Sequence, residues 1–155
     1  MRPAVPAWVA VGANLGDAAG QVRWAFEALR LHPEVNDLRV SRLYRSAPHE
    51  AEGPDFINAV VCFETPLTAP ALLQVLQALE QQAGRERPYR HAPRTLDLDL
   101  LFYGAGTVFS PRLTVPHPRW HERAFVLWPL GDVSPDKVSA AQRAAVAGQA
   151  IEVLP

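Results

Sequence analysis

Residues 92–104 read "APRTLDLDLLFYG". The density of Leu, Phe and Tyr is that of a buried strand, yet Asp97 and Asp99 interrupt it. Strand side chains alternate between faces. Leu96, Leu98 and Leu100 therefore point one way, and Asp97, Asp99 and Leu101 the other. Two carboxylates two positions apart on one face lie roughly 7 Å apart. Their like charges repel unless something positive stands between them. One divalent cation, or two, would supply that charge. Hard carboxylate oxygens suit Mg2+, which keeps several waters and binds through one or two carboxylates plus substrate phosphates. The plainer alternative is an edge strand with both aspartates solvated, and the flanking leucines argue against it. An EF-hand is disfavoured, because its loop needs Gly at the sixth position and Glu at the twelfth. Here those positions hold Phe102 and Val108.

The segment just before this strand, "GRERPYRHAPR" (84–94), carries four arginines. Arg is the side chain for bidentate phosphate contacts. A cationic loop beside a two-carboxylate strand suggests a polyanion held jointly by metal and guanidinium. A solvated Arg-rich loop is the bland alternative, since 14 of the 15 basic residues are Arg and Lys137 is the single lysine.

Farther out, the elements alternate. "AWVAV" (7–11) reads as a strand ending in the turn "GANLG". Asp17 can cap a helix over 18–31, with Val22, Phe26 and Leu29 as its stripe, stopped by His32-Pro33. A strand over 38–46 and a loop over 49–55 follow. In the next strand, 56–64, Ile57, Ala59, Val61 and Phe63 share an apolar face; Phe56, Asn58, Val60, Cys62 and Glu64 share a mixed one. Thr68 can cap a helix over 69–83 with Leu72, Leu76, Leu79 and Ala83 on one side and Gly84 as its stop. Beyond the Asp strand come a short strand near 113–115, a Pro-rich turn, a short helical piece, and a last helix over 139–147. The order is βαβ twice. It predicts an α+β fold, the ferredoxin-like βαββαβ antiparallel sheet with its helices on one face. The other face would then carry Phe56, Asn58, Asp97 and Asp99 as an open site roofed by loops.

The 155 residues, 48% hydrophobic, suit a single domain over 1–155. The net charge of −1 implies no global pull toward nucleic acid or membrane. No apolar run is long enough to span a bilayer. The lone cysteine, Cys62, is expected as a small core residue, and it fits a reducing cytoplasm. "VGANLGD" (11–17) is a Gly turn but neither G-x-G-x-x-G nor a Walker A loop. "TVPHPR" (114–119) sets His117 on a rigid turn. A lone His is usually structural, but Arg112, Arg119 and Arg123 nearby make a phosphate or nucleotide contact an alternative. The four tryptophans are expected to pack.

Four segments in order, "VGANLGD", "SRLYRSAPHEAEGPDFINAVVCFET", "LEQQAGRERPYRHAPRTLDLDLLFYG" and "RLTVPHPRWHERAFVLWPLGDVSPD", resemble the 6-hydroxymethyl-7,8-dihydropterin pyrophosphokinase family of folate biosynthesis over about residues 8–136. The resemblance implies a ferredoxin-like fold. It also implies transfer of pyrophosphate from ATP to 6-hydroxymethyl-7,8-dihydropterin, giving the pterin diphosphate and AMP. Asp97 and Asp99 would hold two Mg2+ ions with ATP. Arg85, Arg87 and Arg94 would grip phosphates, and Glu80, Leu100, Arg112, Thr114, His117 and Arg123 would meet the nucleotide. Ser46, Pro48, Phe56, Asn58 and Phe125 would form the pterin pocket, with Asn58 bonding the ring and Phe125 stacking on it. A cytoplasmic monomer with no nucleic-acid or membrane partner is the expectation. Departures are Ala13 for a common Ser, Ser46-Ala47 for Thr-Pro, Phe56 for a frequent Tyr and His91 for a common Trp. Two other readings compete. A glycosyltransferase with Asp-x-Asp would need a larger nucleotide-binding sheet. A ferredoxin-like RNA-binding domain would need aromatics where Asp97 and Asp99 stand.

Overall fold

In the computed structural model, which describes residues 2–47, 54–84 and 96–155, the chain runs in this order. β1 (Val5–Ala13), α1 (Ala18–Leu31), β2 (Asn36–Val40) and β3 (Tyr44–Ser46) come first. β4 (Phe56–Thr65), α2 (Ala69–Gly84) and β5 (Asp97–Tyr103) follow. Then come β6 (Val108–Phe109), β7 (Thr114–Val115), α3 (Ala124–Val133), α4 (Ala140–Ala145) and β8 (Glu152–Val153). Short 3-10 turns cover Trp120–Glu122 and Pro135–Lys137.

The helix signals act as their chemistry requires. The Asp17 carboxylate accepts the Gly20 N–H at 3.0 Å, and Thr68 Oγ1 accepts the Ala71 N–H at 3.2 Å. Each satisfies a donor that the first helical turn leaves unpaired. Val22, Ala25, Phe26 and Leu29 of α1 are buried, as are Leu72, Leu76, Leu79 and Ala83 of α2. Both stripes pack on Val9, Val11, Ala59, Val61, Phe63, Leu98 and Leu100 from one sheet face.

The main sheet has the order β5-β1-β4-β3-β8, with β2 also paired to β4. Every pairing in it is antiparallel. The expected single strand over 38–46 is two. Val40 faces Val61 and Tyr44 faces Asn58, so three residues oppose two across the gap. Ser41 accounts for the break: its Oγ accepts the Val60 N–H at 2.9 Å and donates to the Arg42 carbonyl at 2.7 Å. A side chain thus serves a backbone donor where the ladder is interrupted.

The helices do not all lie on one face, which corrects the sequence expectation. α3 covers part of the other face, over Trp8, Val60, Cys62, Leu101 and Phe102. A bulge enlarges the apolar surface there. Trp8 faces Phe102 but Val9 faces Leu100, so Leu101 is an extra residue. Leu101 and Phe102 both turn to the second face, where they need an apolar cover. α3, with Val126, Leu127 and Leu130 buried, supplies it. The cover is pinned by Trp8 Nε1–H donating to Ser134 Oγ at 2.8 Å, and by Lys137 Nζ lying 4.2 Å over Trp8 and 4.6 Å over Phe102.

A polar knot joins α3 to β3. Asp132 accepts from Arg42 Nη2 at 2.8 Å and from the Tyr44 hydroxyl at 2.9 Å. Burial alone would push the Asp132 carboxyl up, but hydrogen bonds from Arg42 and Tyr44 outweigh it and hold it below 3.8. Burial, helped by the bond to Asp132, raises Tyr44 to about 12.

Asp132→Ala is expected to cost about 1–3 kcal/mol in urea unfolding, because it leaves the buried Tyr44 hydroxyl without its acceptor. In the wild type, the Asp132 contribution is present above pH 3.8 and is lost as pH falls through its lower folded value. The Tyr44 contribution is present below pH 10 and is lost as pH rises toward about 12. Urea melts of Tyr44→Phe across that alkaline range should lack this last decline.

Candidate active site

The register of β1 assembles the site. Gly12 faces Asn58 on one side and Asp97 on the other; Ala10 faces Val60 and Asp99. Neighbouring strands lie about 4.8 Å apart, so Asn58 and Asp97 stand roughly 10 Å apart across Gly12. Gly12 and Ala10 keep the floor between them low. A Cβ at Gly12 would lie 2.7 Å from Asn58 Oδ1, which is the close approach that favours glycine here. Leu96, Leu98 and Leu100 are buried while Asp97 and Asp99 are exposed, as alternation requires.

Above this floor opens a cleft of about 790 Å³. It is large enough for a nucleotide-sized or smaller ligand by the usual range of pocket volumes. Asp97, Asp99 and Asn58 line it, together with Ser46 and Phe56 at the β3–β4 end. His117, Arg123 and Phe125 line it from the turn before α3 and from the start of α3. The His117 N–H donates to the Leu101 carbonyl at 3.0 Å, which seats the turn beside the Asp strand. Its Nδ1 accepts the Arg119 N–H at 3.4 Å. Burial lowers the His117 pKa below 6.5; the charge of Asp99 opposes this and that of Arg123 adds to it. A neutral imidazole at pH 7 follows, with Nε2–H free to donate. The Arg123 guanidinium lies 5.4 Å over the Phe125 ring, so a cation and an aromatic face share one corner.

Not every expected residue comes to the cleft. The Leu100 side chain is 3% exposed in the core under the helices, because it alternates with Asp99, so a nucleotide contact at this position falls to its backbone. Glu80 also differs. Its Oε2 accepts the Leu98 N–H at 2.9 Å, fastening the outer side of β5 between the two aspartates. Thr114 pairs with Phe109 in the β6–β7 hairpin, and Arg112 is exposed at its turn. Neither lines the cleft. Pro48, Arg85, Arg87 and Arg94 lie outside the described residues, as does His91.

Sequence reasoning missed several lining residues. Gly12 reads there only as part of a turn. Glu122, whose Oε2 holds Arg119 Nε at 2.8 Å, carries no motif. Gly148, Gln149, Ala150 and Ile151 form another wall, from a stretch with no strong periodicity. Among the described residues, no three of His, Cys, Asp and Glu gather as a metal site. Asp97 and Asp99 can still hold a hard cation whose other ligands are water or ligand oxygens.

Residues 8–135 match the family model described as 7,8-dihydro-6-hydroxymethylpterin-pyrophosphokinase. The chain is 45% identical over 130 residues to a 2-amino-4-hydroxy-6-hydroxymethyldihydropteridine pyrophosphokinase of Pseudomonas aeruginosa, covering 83% of this chain and 80% of that one. With the protein of the same name from Synechocystis it is 42% identical over 130 residues, 84% of this chain and 67% of the other. A mitochondrial folate synthesis bifunctional protein of Arabidopsis thaliana is 43% identical over 128 residues, 81% of this chain but 23% of the longer one. Among solved structures, wild-type Plasmodium falciparum HPPK-DHPS with SDX-DHP superposes with a TM-score of 0.68 at 13% identity, over 85% of this chain and 41% of that one. At that identity the likeness concerns the fold alone.

Gly12→Ala is expected to push the Asn58 amide aside. The clash is with the end of a flexible side chain, so the stability cost should stay below about 1 kcal/mol. Side-chain amide NMR of Asn58 beside a thermal melt checks this: a moved resonance with a nearly unchanged melt is the expected pair.

Proposed function

The chain belongs to the 7,8-dihydro-6-hydroxymethylpterin-pyrophosphokinase family, and on that premise we propose that the cleft above Gly12 is its active site. The enzyme transfers pyrophosphate from ATP to 6-hydroxymethyl-7,8-dihydropterin in folate biosynthesis, leaving AMP and the pterin diphosphate. The observation that carries the site assignment is the pair Asp97 and Asp99, exposed side by side at one end of a sheet row whose other end is Asn58.

The donor set fits Mg2+, since both carboxylates are hard, share one face and border a cleft open to substrate oxygens. Bound there, Mg2+ would offset the negative charge of the triphosphate, and we take two ions as the reading the family suggests. The chain's own residues do the rest. His117 presents Nε2–H to a phosphate oxygen without competing as a charge. Arg123 supplies a fixed guanidinium beside it. Arg85, Arg87 and Arg94 are proposed as the clamp on the transferred group, with Arg112 and Thr114 toward the nucleotide. A carboxylate oxygen of Asp97 is the proposed acceptor for the hydroxymethyl proton. Holding the attacking and departing oxygens in line is the main task such a site performs.

Asn58 offers both a donor and an acceptor from one amide, which suits the hydrogen-bonding edge of a pterin. Phe125 and Phe56 are proposed as the aromatic walls of that pocket, with Ser46 and Pro48 at its rim. The ferredoxin-like assignment is supported by the order of the long strands, β5-β1-β4 and then β2 with β3, all antiparallel. We propose one domain acting as a cytoplasmic monomer without a nucleic-acid partner. Buried Cys62 is consistent with that compartment. Among the described residues, no helix is long and apolar enough to cross a membrane.

Two measurements test this reading. Asp97→Ala and Asp99→Ala should each lower kcat by about a hundredfold or more, with the far-UV circular dichroism unchanged. Near-normal turnover of either variant at saturating Mg2+ would refute the metal assignment. Asn58→Ala should lose about 1–3 kcal/mol of pterin affinity while ATP affinity holds, because a polar edge of the ring loses its partner. Phe125→Ala should weaken pterin selectively through lost stacking. Separate titrations with pterin and with a non-hydrolysable ATP analogue decide; a parallel loss of both ligands, with an earlier melt, would mark these side chains as core supports.

A further inference from the structure

We infer that Gln149 is a positioning residue that sets where Arg123 and Phe125 stand in the cleft, an inference that rests on the active-site reading above. Arg123 is the N-cap of α3, and it makes no side-chain cap bond of its own. By contrast, Asp17 and Ser139 cap their own helices. At α3 the bond comes from 25 residues downstream: Gln149 Oε1 accepts the Ala124 N–H at 2.9 Å. The same amide donates from Nε2 to the Glu122 carbonyl at 2.8 Å. One side chain therefore grips the backbone on both sides of Arg123.

Of the two bonds, the one to Ala124 is the more sheltered, since Glu122 and Gln149 are themselves exposed. Ala124 is 1% exposed, so its N–H depends on Gln149 once the helix has formed. The segment carrying Gln149 is itself anchored at both ends. Val146 is buried with α3 and the second core. Farther on, Val153 pairs with Tyr44, the Leu154 N–H bonds the Leu43 carbonyl, and Glu152 meets Arg45 at 3.1 Å. Gln149 thus ties the start of α3, which presents Arg123 and Phe125, to the strand that presents Ser46. It lies beyond residues 8–135, the stretch that matches the family model.

The test is steady-state kinetics of wild type, Gln149→Leu and Gln149→Glu, with pterin and ATP varied separately, beside thermal melts. Gln149→Leu keeps the bulk and loses both bonds. Gln149→Glu keeps an acceptor for Ala124 and loses the donor to Glu122. Positioning predicts a pterin KM about tenfold higher in Gln149→Leu and an intermediate rise in Gln149→Glu, with kcat changed less. A residue that only stabilises the helix would lower the melting temperature and the active fraction and leave KM alone; that result overturns the inference. Should Gln149→Leu fail to fold, Gln149→Glu carries the same test by itself. A wild-type protein with no pterin-dependent AMP release would overturn the active-site reading, and this inference with it, before any variant is compared.

Discussion

The backbone ladder that holds β1 between β4 and β5 governs what is built above it. Side chains on a strand have a period of two, so the pairing register decides which residues share a face and which stand opposite. Here the register sets Asn58, Gly12 and Asp97 in one row, and Val60, Ala10 and Asp99 in the next. The helices on one side and α3 on the other tolerate small adjustments of packing. The ladder does not, because a slip of one residue would carry both aspartates into the apolar layer beneath α1 and α2.

Much of this is legible in the sequence because period and capping are local properties. Leu72, Leu76 and Leu79 announce a buried helix face, and Asp17 and Thr68 announce where helices begin. Asp97 and Asp99 stand out because charge is costly in an apolar strand without a reason. The part that stays hidden is non-local. Nothing near Leu101 in the chain signals the bulge, since it exists only against Trp8 and Val9. The bulge adds Leu101 to the apolar patch that α3 covers, and that addition is hidden with it. Gln149 is hidden for the same reason: its partners lie 25 and 27 residues away, and a lone Gln carries no pattern. Leu100 and Glu80 show what a family likeness leaves out, since it names a residue without saying which of its atoms meets a ligand. Here the Leu100 side chain packs inward and Glu80 holds the Leu98 N–H.

The cleft divides by chemistry. Its β5 side is anionic and faces His117 and Arg123, a pairing suited to a dense polyanion with a cation between. Its β3–β4 side holds an amide and the Phe56 ring, suited to a flat heterocycle. Small residues, Gly12 and Ala10, separate the two. The side chains on this floor come from strands, whose positions a packed sheet fixes well. Those on the wall come from a turn and a helix start, which require added bonds. The His117 N–H to Leu101 and the Gln149 amide to Glu122 and Ala124 are such bonds.

The bulge also bears on how this strand can change in length over generations. Residues 97–103 read DLDLLFY, and Leu100 and Leu101 are adjacent and identical. Loss of either codon gives the same product, DLDLFY, which alternates without interruption. Both carboxylates would keep their side, and Phe102 and Tyr103 would keep theirs. A codon lost from between the aspartates has no such remedy, because it puts the two on opposite faces. The spare leucine is not without purpose, however. Its carbonyl is where His117 hangs, so a shortened strand would retain its pair of cleft-facing aspartates and surrender the seat of the histidine opposite.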